Sequence, residues 1–96
     1  MFIGVLRITL DIDEAYNLKE RRNVVRSLKD KISARFNAAV AELEEGEAVY
    51  NRAQIGIATV SNEYKHADSQ VQQILAFIEK HGEYVLFDVE EEVISV

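Results

Sequence analysis

The chain has 96 residues, a length typical of one domain, and its content of 48% apolar and 29% charged residues is that of a soluble globular protein. It has no cysteine, which excludes disulfides, thiolate metal ligands and thiol nucleophiles. Its net charge of −6 is unlike that of most nucleic-acid-binding domains. No apolar run approaches the roughly 20 residues of a membrane span, and the N-terminal segment lacks the features of a signal peptide. We therefore expect one cytoplasmic domain, residues 1–96.

The first half of the chain predicts a strand, a helix and a second strand. Apolar and polar residues alternate over Phe2–Ile12, as in a half-buried strand, and an acidic loop at residues 13–17 follows. Asn17 and Glu20 have the spacing of a capping box, which begins a helix. Ala38–Glu44 alternates more loosely, before the glycine of a turn at residues 44–47. The apolar stripe of the helix consists of Val24, Val25, Leu28, Ile32 and Phe36.

The second half repeats this pattern. Ala53–Val60 predicts a strand, Ser61 and Asn62 offer N-cap chemistry, and His81–Gly82 gives a helix stop before a last strand over Tyr84–Val89. The order β-α-β-β-α-β predicts an α+β fold of the ferredoxin-like type, a four-stranded antiparallel sheet with two helices on one face. The stripe of the second helix consists of Ala67, Val71, Ile74, Leu75 and Ile78.

Positive charge is concentrated in the first helix. Seven of the eleven basic residues and two acidic residues lie in Lys19–Arg35, a net charge of +5, whereas the remainder carries −11. At 100° per residue four cations form a stripe beside the apolar face, and two more lie at the helix ends within the apolar arc. Cations spaced along one rod suit a phosphate backbone, although charged helix faces are most often only solvated. The predicted nucleic-acid-binding residues are the stripe, Lys19, Arg22, Arg26 and Lys29, and the two end residues, Arg21 and Arg35.

The sheet face turned away from the helices is predicted to be apolar and uncovered. We place Ile3 and Val5 of the first strand on it, together with Ala53, Ile55 and Ile57 of the third. An uncovered apolar sheet face indicates a partner, and we expect a homodimer through it. The opposite assignment stays open, because a one-residue bulge inverts the direction of every following side chain.

No catalytic constellation is readable in the sequence. Both histidines lie on or beside the second helix, where surface placement is expected, and the acidic clusters lack the ligand spacing of a calcium loop. Acylphosphatase-like chemistry on this fold requires a glycine-rich anion loop with an arginine after the first strand, whereas residues 13–17 are acidic and contain no glycine. We expect no enzyme, no metal and no cofactor.

Four segments carry a resemblance to one family. Asn17–Arg22 is similar to its signature Ser-Leu-Lys-Glu-Lys-Arg, and Phe36–Glu42, Val60–Asn62 and Gly4–Arg7 are similar to further blocks. The chain thus resembles, over nearly its whole length, the YlxP-like group of small bacterial proteins of unknown function. The resemblance implies a ferredoxin-like fold and a bacterial cytosolic protein. Genes of this group often neighbour genes for translation initiation and ribosome maturation, which implies a ribosome-associated role, but the resemblance supplies no catalytic residue.

Two hypotheses of function follow. The first is a non-enzymatic accessory factor that binds RNA or the ribosome through its basic first helix. The second is a homodimeric protein-interaction or small-ligand regulatory module that uses the open sheet face, and the pI near 4.9 favours it. The first predicts a strong loss of binding with salt, and the second predicts association that depends on concentration.

Overall fold

A computed structural model describes residues 1–13, 17–43, 52–80 and 82–96. Six elements follow in the expected order, and the strands form one antiparallel sheet in the order β2-β3-β1-β4 with both helices on one face. This is the ferredoxin-like fold that the sequence predicts. The predicted turn at residues 44–47, most of the acidic loop and His81 lie outside the described residues. The elements are β1 (Phe2–Ile12), α1 (Leu18–Arg35), β2 (Ala39–Leu43), β3 (Arg52–Ser61), α2 (Tyr64–Lys80) and β4 (Tyr84–Ser95).

The core lies between the helices and one face of the sheet. Alternate residues of β1 point to it, and Leu6, Ile8 and Leu10 are at most 1% exposed. The helices close the core with apolar stripes at helical spacing, in which α1 contributes its three buried residues and α2 its five. The stripes are Val25, Leu28 and Ile32 in α1, and Ala67, Val71, Ile74, Phe77 and Ile78 in α2. Phe77 was not predicted, and Leu75 is only partly buried.

Helix α1 begins with the predicted capping box. The Asn17 side chain accepts a hydrogen bond from the backbone N–H of Glu20 at 2.8 Å, and the Asn17 N–H donates to the Glu20 carboxylate at 3.1 Å. Two backbone donors that would otherwise lack a helical acceptor are thereby satisfied. The helix ends at Arg35, because Phe36 adopts an extended backbone. The capping box sets the start of α1 and thereby places the first basic residues in its first turn.

Helix α2 crosses the sheet at Gly4 of β1. A Cβ atom built on Gly4 would lie 2.6 Å from Cγ2 of Val71 and 3.0 Å from Cγ2 of Thr59, so only a hydrogen fits there. At the other end of α2, the Tyr84 hydroxyl donates to the carbonyl oxygen of Ile78 at 2.7 Å. Gly82, between them, has φ of 134°, a conformation that favours glycine.

Strand β4 is longer than predicted. The sequence suggested Tyr84–Val89, whereas the strand continues through three glutamates to Ser95. It pairs with β1 along its whole length and is an edge strand, so the glutamate side chains remain in solvent. The pairing shifts by one residue between Thr9 and Leu10, where Phe87 is the extra residue of a bulge.

The predicted placement of Ile55 and Ile57 on the open face is wrong. They are 1% and 3% exposed and lie opposite Ile8 and Leu6, on the face that the helices cover. Ala53 shares this orientation, because it lies opposite Leu10. The sequence gives the alternation of β3 but not its register against β1, and a shift of one residue reverses the assignment of every side chain.

Candidate nucleic-acid interface

Four cations of α1 form the basic stripe, which runs beside the helix face that packs on the sheet. Three of them are exposed and Lys29 is partly buried. At a rise of about 1.5 Å per residue the stripe is about 15 Å long. Within the described part of the chain, no carboxylate forms an ion pair with these side chains. The stripe, Lys19, Arg22, Arg26 and Lys29, therefore presents its charge to solvent.

The strand order separates the two signs of charge. Helix α1 packs against β2 at one edge of the sheet, and β4 forms the opposite edge. Strand β4 carries four exposed carboxylates. Unlike charges on adjacent elements would cancel, whereas here the basic stripe and the carboxylates lie toward opposite edges of the sheet. The four carboxylates are those of Asp88, Glu90, Glu91 and Glu92.

Arg35 lies at the far end of α1 and contacts aromatic rings. Its guanidinium carbon is 5.3 Å from the ring centroid of Phe77 and 5.9 Å from that of Phe36, while the two rings meet edge to face. These contacts are in the range of cation–π interactions. The side chain remains exposed but lies off the axis of the basic stripe. The structure thus joins Arg35 to the aromatic end of the core rather than to the other cations.

Arg21 points in a different direction from the basic stripe. It precedes Val25, Leu28 and Ile32 by four, seven and eleven residues, which is the spacing of the buried face of α1. Its side chain is partly buried, and its Nε atom is shielded from solvent without a hydrogen-bond acceptor among the described residues. Arginine here occupies the first position of an apolar stripe.

Arg21 lines a pocket of about 210 Å³ between the first turns of α1 and the adjoining ends of β1, β2 and β3. Arg22 and Glu42 also line it, and neither forms an ion pair with a described residue. Arg52 contributes to the rim, but its guanidinium lies 3.6 Å from the centroid of the Phe87 ring on the open face. The apolar wall is formed by Ile12, Leu18, Val25, Leu43 and Ala53.

No described helix covers the opposite face of the sheet. Ile3 and Val5 do lie there, as predicted, but their neighbours on β3 are Val60 and Ala58. Val60 is 60% exposed, and Ile94 of β4, opposite Ile3, is 39% exposed. These five residues, Ile3, Val5, Ala58, Val60 and Ile94, are called the apolar strip below.

The remaining features of the described residues offer little chemistry. His66 is exposed, and no three histidine or carboxylate side chains in residues 1–13, 17–43, 52–80 and 82–96 converge as a metal-ligand group. Burial raises the pKa of Tyr84 from 10.0 to about 12. Neither α1 nor α2 has the length and apolarity that crossing a membrane demands. Arg21 is among the predicted phosphate contacts, but the pocket has no signal in the sequence, because only the paired strand ends define its walls.

Two de novo designed proteins are similar to the chain in structure. Ferredog-Diesel is 11% identical with a TM-score of 0.46, over 92% of this chain and 83% of that protein. LFR1 1, a designed protein with ferredoxin fold, is 12% identical with a TM-score of 0.45, over 100% and 87%.

In sequence, the chain is 30% identical over 81 residues to the uncharacterized protein YlxP of Bacillus subtilis (strain 168). That match covers 84% of this chain and 87% of the relative. Residues 3–91 match the family described as protein of unknown function (DUF503), which includes nearly every element of the fold. The resemblance to the YlxP-like group is thereby confirmed, and the chain belongs to the DUF503 family of proteins of unknown function.

Proposed function

We propose that the protein is a non-enzymatic RNA-binding accessory factor that contacts the phosphate backbone of structured RNA, such as ribosomal RNA, through the basic stripe of α1. The supporting observation is a row of four cations without ionic partners in the described residues, on a helix at the edge of the sheet opposite the acidic strand. Phosphate contacts position a protein without reading bases, so the binding has little sequence specificity.

The acidic strand β4 gives the contact a direction. Four carboxylates on β4 repel a polyanion, and they lie at the sheet edge opposite β2, the strand against which α1 packs. RNA therefore approaches from the α1 side only. This arrangement reconciles the overall charge of −6 with a polyanionic partner, because the local field around α1 has the opposite sign to the net charge.

Salt dependence tests the proposal. Release of counterions by four contacts gives a slope of about −3 to −4 in log affinity against log salt, or a loss of roughly fifty- to hundred-and-fiftyfold between about 50 and 200 mM salt. Reversal of two cations by Arg22→Glu with Arg26→Glu leaves at most two contacts. The remaining loss over the same range is then about tenfold.

The matched control reverses the two lysines of α2, with Lys65→Glu and Lys80→Glu. Both are exposed, and the net charge of the protein changes by the same amount as in the arginine pair. Binding to ribosomal subunits and to structured RNA is measured for both variants. Equal losses in the two variants would show a general charge effect, and unchanged binding in the arginine pair would remove the stripe as the site.

A second candidate function is supported by the apolar strip, which we propose as a homodimer interface. The strip itself carries no charged side chain. Beside it, Arg7 lies 3.8 Å from Glu90 across the β1–β4 pair, and the exposed Glu92 lies opposite Val5. A second copy can cover the strip with its own while Glu92 stays in solvent at the rim, so that no unpaired charge is buried. Such packing is centred on β1 and β3, with Ile94 at its β4 margin.

A further inference from the structure

The geometry points to the pocket beneath the start of α1 as a binding site for a single phosphate group, held by Arg21 and Arg22. This inference deepens the proposed function, on which it rests for RNA as the source of the phosphate. The basic stripe contacts a backbone along its length, whereas the pocket takes one group at its end. The two surfaces meet at Arg22, which belongs to both.

The position of Arg21 carries the inference. The face of α1 that packs on the sheet is apolar at its other three positions, and a fourth apolar residue would close the gap between α1 and the sheet. Arg21 instead lines a pocket there, and its guanidinium carries five N–H donors. Its Nε–H is shielded from water and lacks an acceptor among the described residues, so this donor remains unsatisfied in the free protein.

The shape of the guanidinium identifies the ligand. The guanidinium is a planar fork of N–H donors that matches two oxygens of one phosphate. The described charged residues that line the pocket are Arg21 and Arg22 of α1, Glu42 of β2 and Arg52 of β3. The Arg52 guanidinium lies over the Phe87 ring, and the other three groups leave one net positive charge. The positive end of the α1 dipole adds to the attraction.

Glu42 and the apolar wall limit what else the pocket accepts. A carboxylate disfavours a second anionic group but accepts hydrogen bonds from hydroxyls, as on the ribose of a nucleotide. The pocket volume of about 210 Å³ admits a phosphate with part of its ribose, at or below the lower end of the range for ligand sites. The chemistry is thus that of a phosphate monoester, either free as a nucleotide or at the end of an RNA strand.

The test follows the Nε–H resonance of Arg21 in ¹⁵N-labelled protein during titration with inorganic phosphate, uridine 5′-monophosphate and uridine. We expect phosphate and the monophosphate to shift this resonance, and uridine to leave it unchanged. Affinity for the monophosphate, measured by calorimetry, falls about tenfold or more in Arg21→Met. Lys65→Met, which removes an exposed cation of α2 outside both the pocket and the stripe, leaves that affinity unchanged. A shift produced equally by uridine, or equal losses in the two variants, would overturn the inference.

RNA strands with and without a 5′-phosphate identify the source of the group. Tighter binding of the phosphorylated strand, lost in Arg21→Met, assigns it to an RNA end, and equal binding of the strands with a response to the monophosphate assigns it to a free nucleotide. The two proposals fail separately. If the protein binds RNA but does not respond to phosphate, the pocket is not a phosphate site and the stripe remains the RNA contact. If it responds to phosphate but does not bind RNA, the phosphate site stands and the proposed RNA-binding function is wrong.

Discussion

Arg21 lies one helical turn before Val25 on the same face of α1, and the two differ in how they contribute to stability. Val25 is 6% exposed and packs in the core, while the Nε atom of Arg21 is buried without an acceptor among the described residues. A buried unsatisfied donor costs about 1–3 kcal/mol. Arg21, the residue best placed to hold an anion, therefore lowers the free energy of unfolding of the protein when no anion is bound.

This relationship predicts that Arg21→Met stabilises the protein. Methionine is unbranched and reaches as far as the Nε position of arginine, fills an irregular gap and removes the unsatisfied donor. We expect the free energy of unfolding in urea to rise by about 1 kcal/mol. The matched control is Arg35→Met, which removes a guanidinium that lies over two aromatic rings and should lower the free energy of unfolding by about 0.5–1 kcal/mol. Destabilisation by both substitutions would show that the buried Nε–H of Arg21 does not cost the folded protein stability.

The glycine under α2 gives a second prediction. Gly4→Ala places a methyl group 2.6 Å from Val71 and 3.3 Å from the backbone oxygen of Ala67, so the helix must move away from the sheet. Overpacking of this kind costs about 1–3 kcal/mol in the free energy of unfolding. Gly56→Ala is the control, because its methyl would contact only the flexible end of Leu43 at 3.2 Å or more. Thermal unfolding of both variants tests this, and we expect the larger drop in Tm in Gly4→Ala. Equal changes in Tm would argue against close packing at Gly4.

Tyr84 makes stability depend on pH in the alkaline range. Burial raises its pKa from 10.0 to about 12, so between these values the unfolded chain loses the phenolic proton and the folded chain keeps it. Fewer protons bound in the unfolded state make stability fall as pH rises from about 10 to 12, with no effect of this group below that range. Urea midpoints measured across this range should fall less steeply in Tyr84→Phe. Parallel profiles for the two proteins would show that Tyr84 does not titrate abnormally.

The sequence predicts most of the fold because its helices and β1 have strong periodicity. The capping box at Asn17 and Glu20, the alternation of β1 and the stripe of α2 are local signals, and each is found where expected. The orientation of the β3 side chains has no such local signal. It depends on which residue of β3 lies opposite Leu6, and the observed register places Ile55 and Ile57 in the core rather than on the open face.

The candidate site also has a part that local periodicity predicts and a part that it does not. Helical spacing alone predicts the stripe around Arg22 and Arg26, since both are exposed on one side of α1. The same spacing places Arg21 in the apolar arc, a position that alone is equally consistent with a long side chain reaching solvent from the helix end. The pocket depends on Glu42 and Ala53, which strand pairing brings beneath α1 from separate parts of the chain. Periodicity within one helix carries no information about that approach.

The apolar strip predicts an effect of charge on association. Val60 is 60% exposed and lies opposite Ile3 in the strip, and a lysine there would place a charge in the proposed interface between two copies. We expect Val60→Lys to shift the protein from dimer to monomer, measured by sedimentation equilibrium over a range of concentrations. Val85→Lys is the control, because Val85 is 68% exposed on β4 but lies opposite Asp11, away from the strip. A dimer that persists in Val60→Lys would place the interface elsewhere, and a monomeric native protein would remove the second candidate function while leaving the RNA-binding proposal intact.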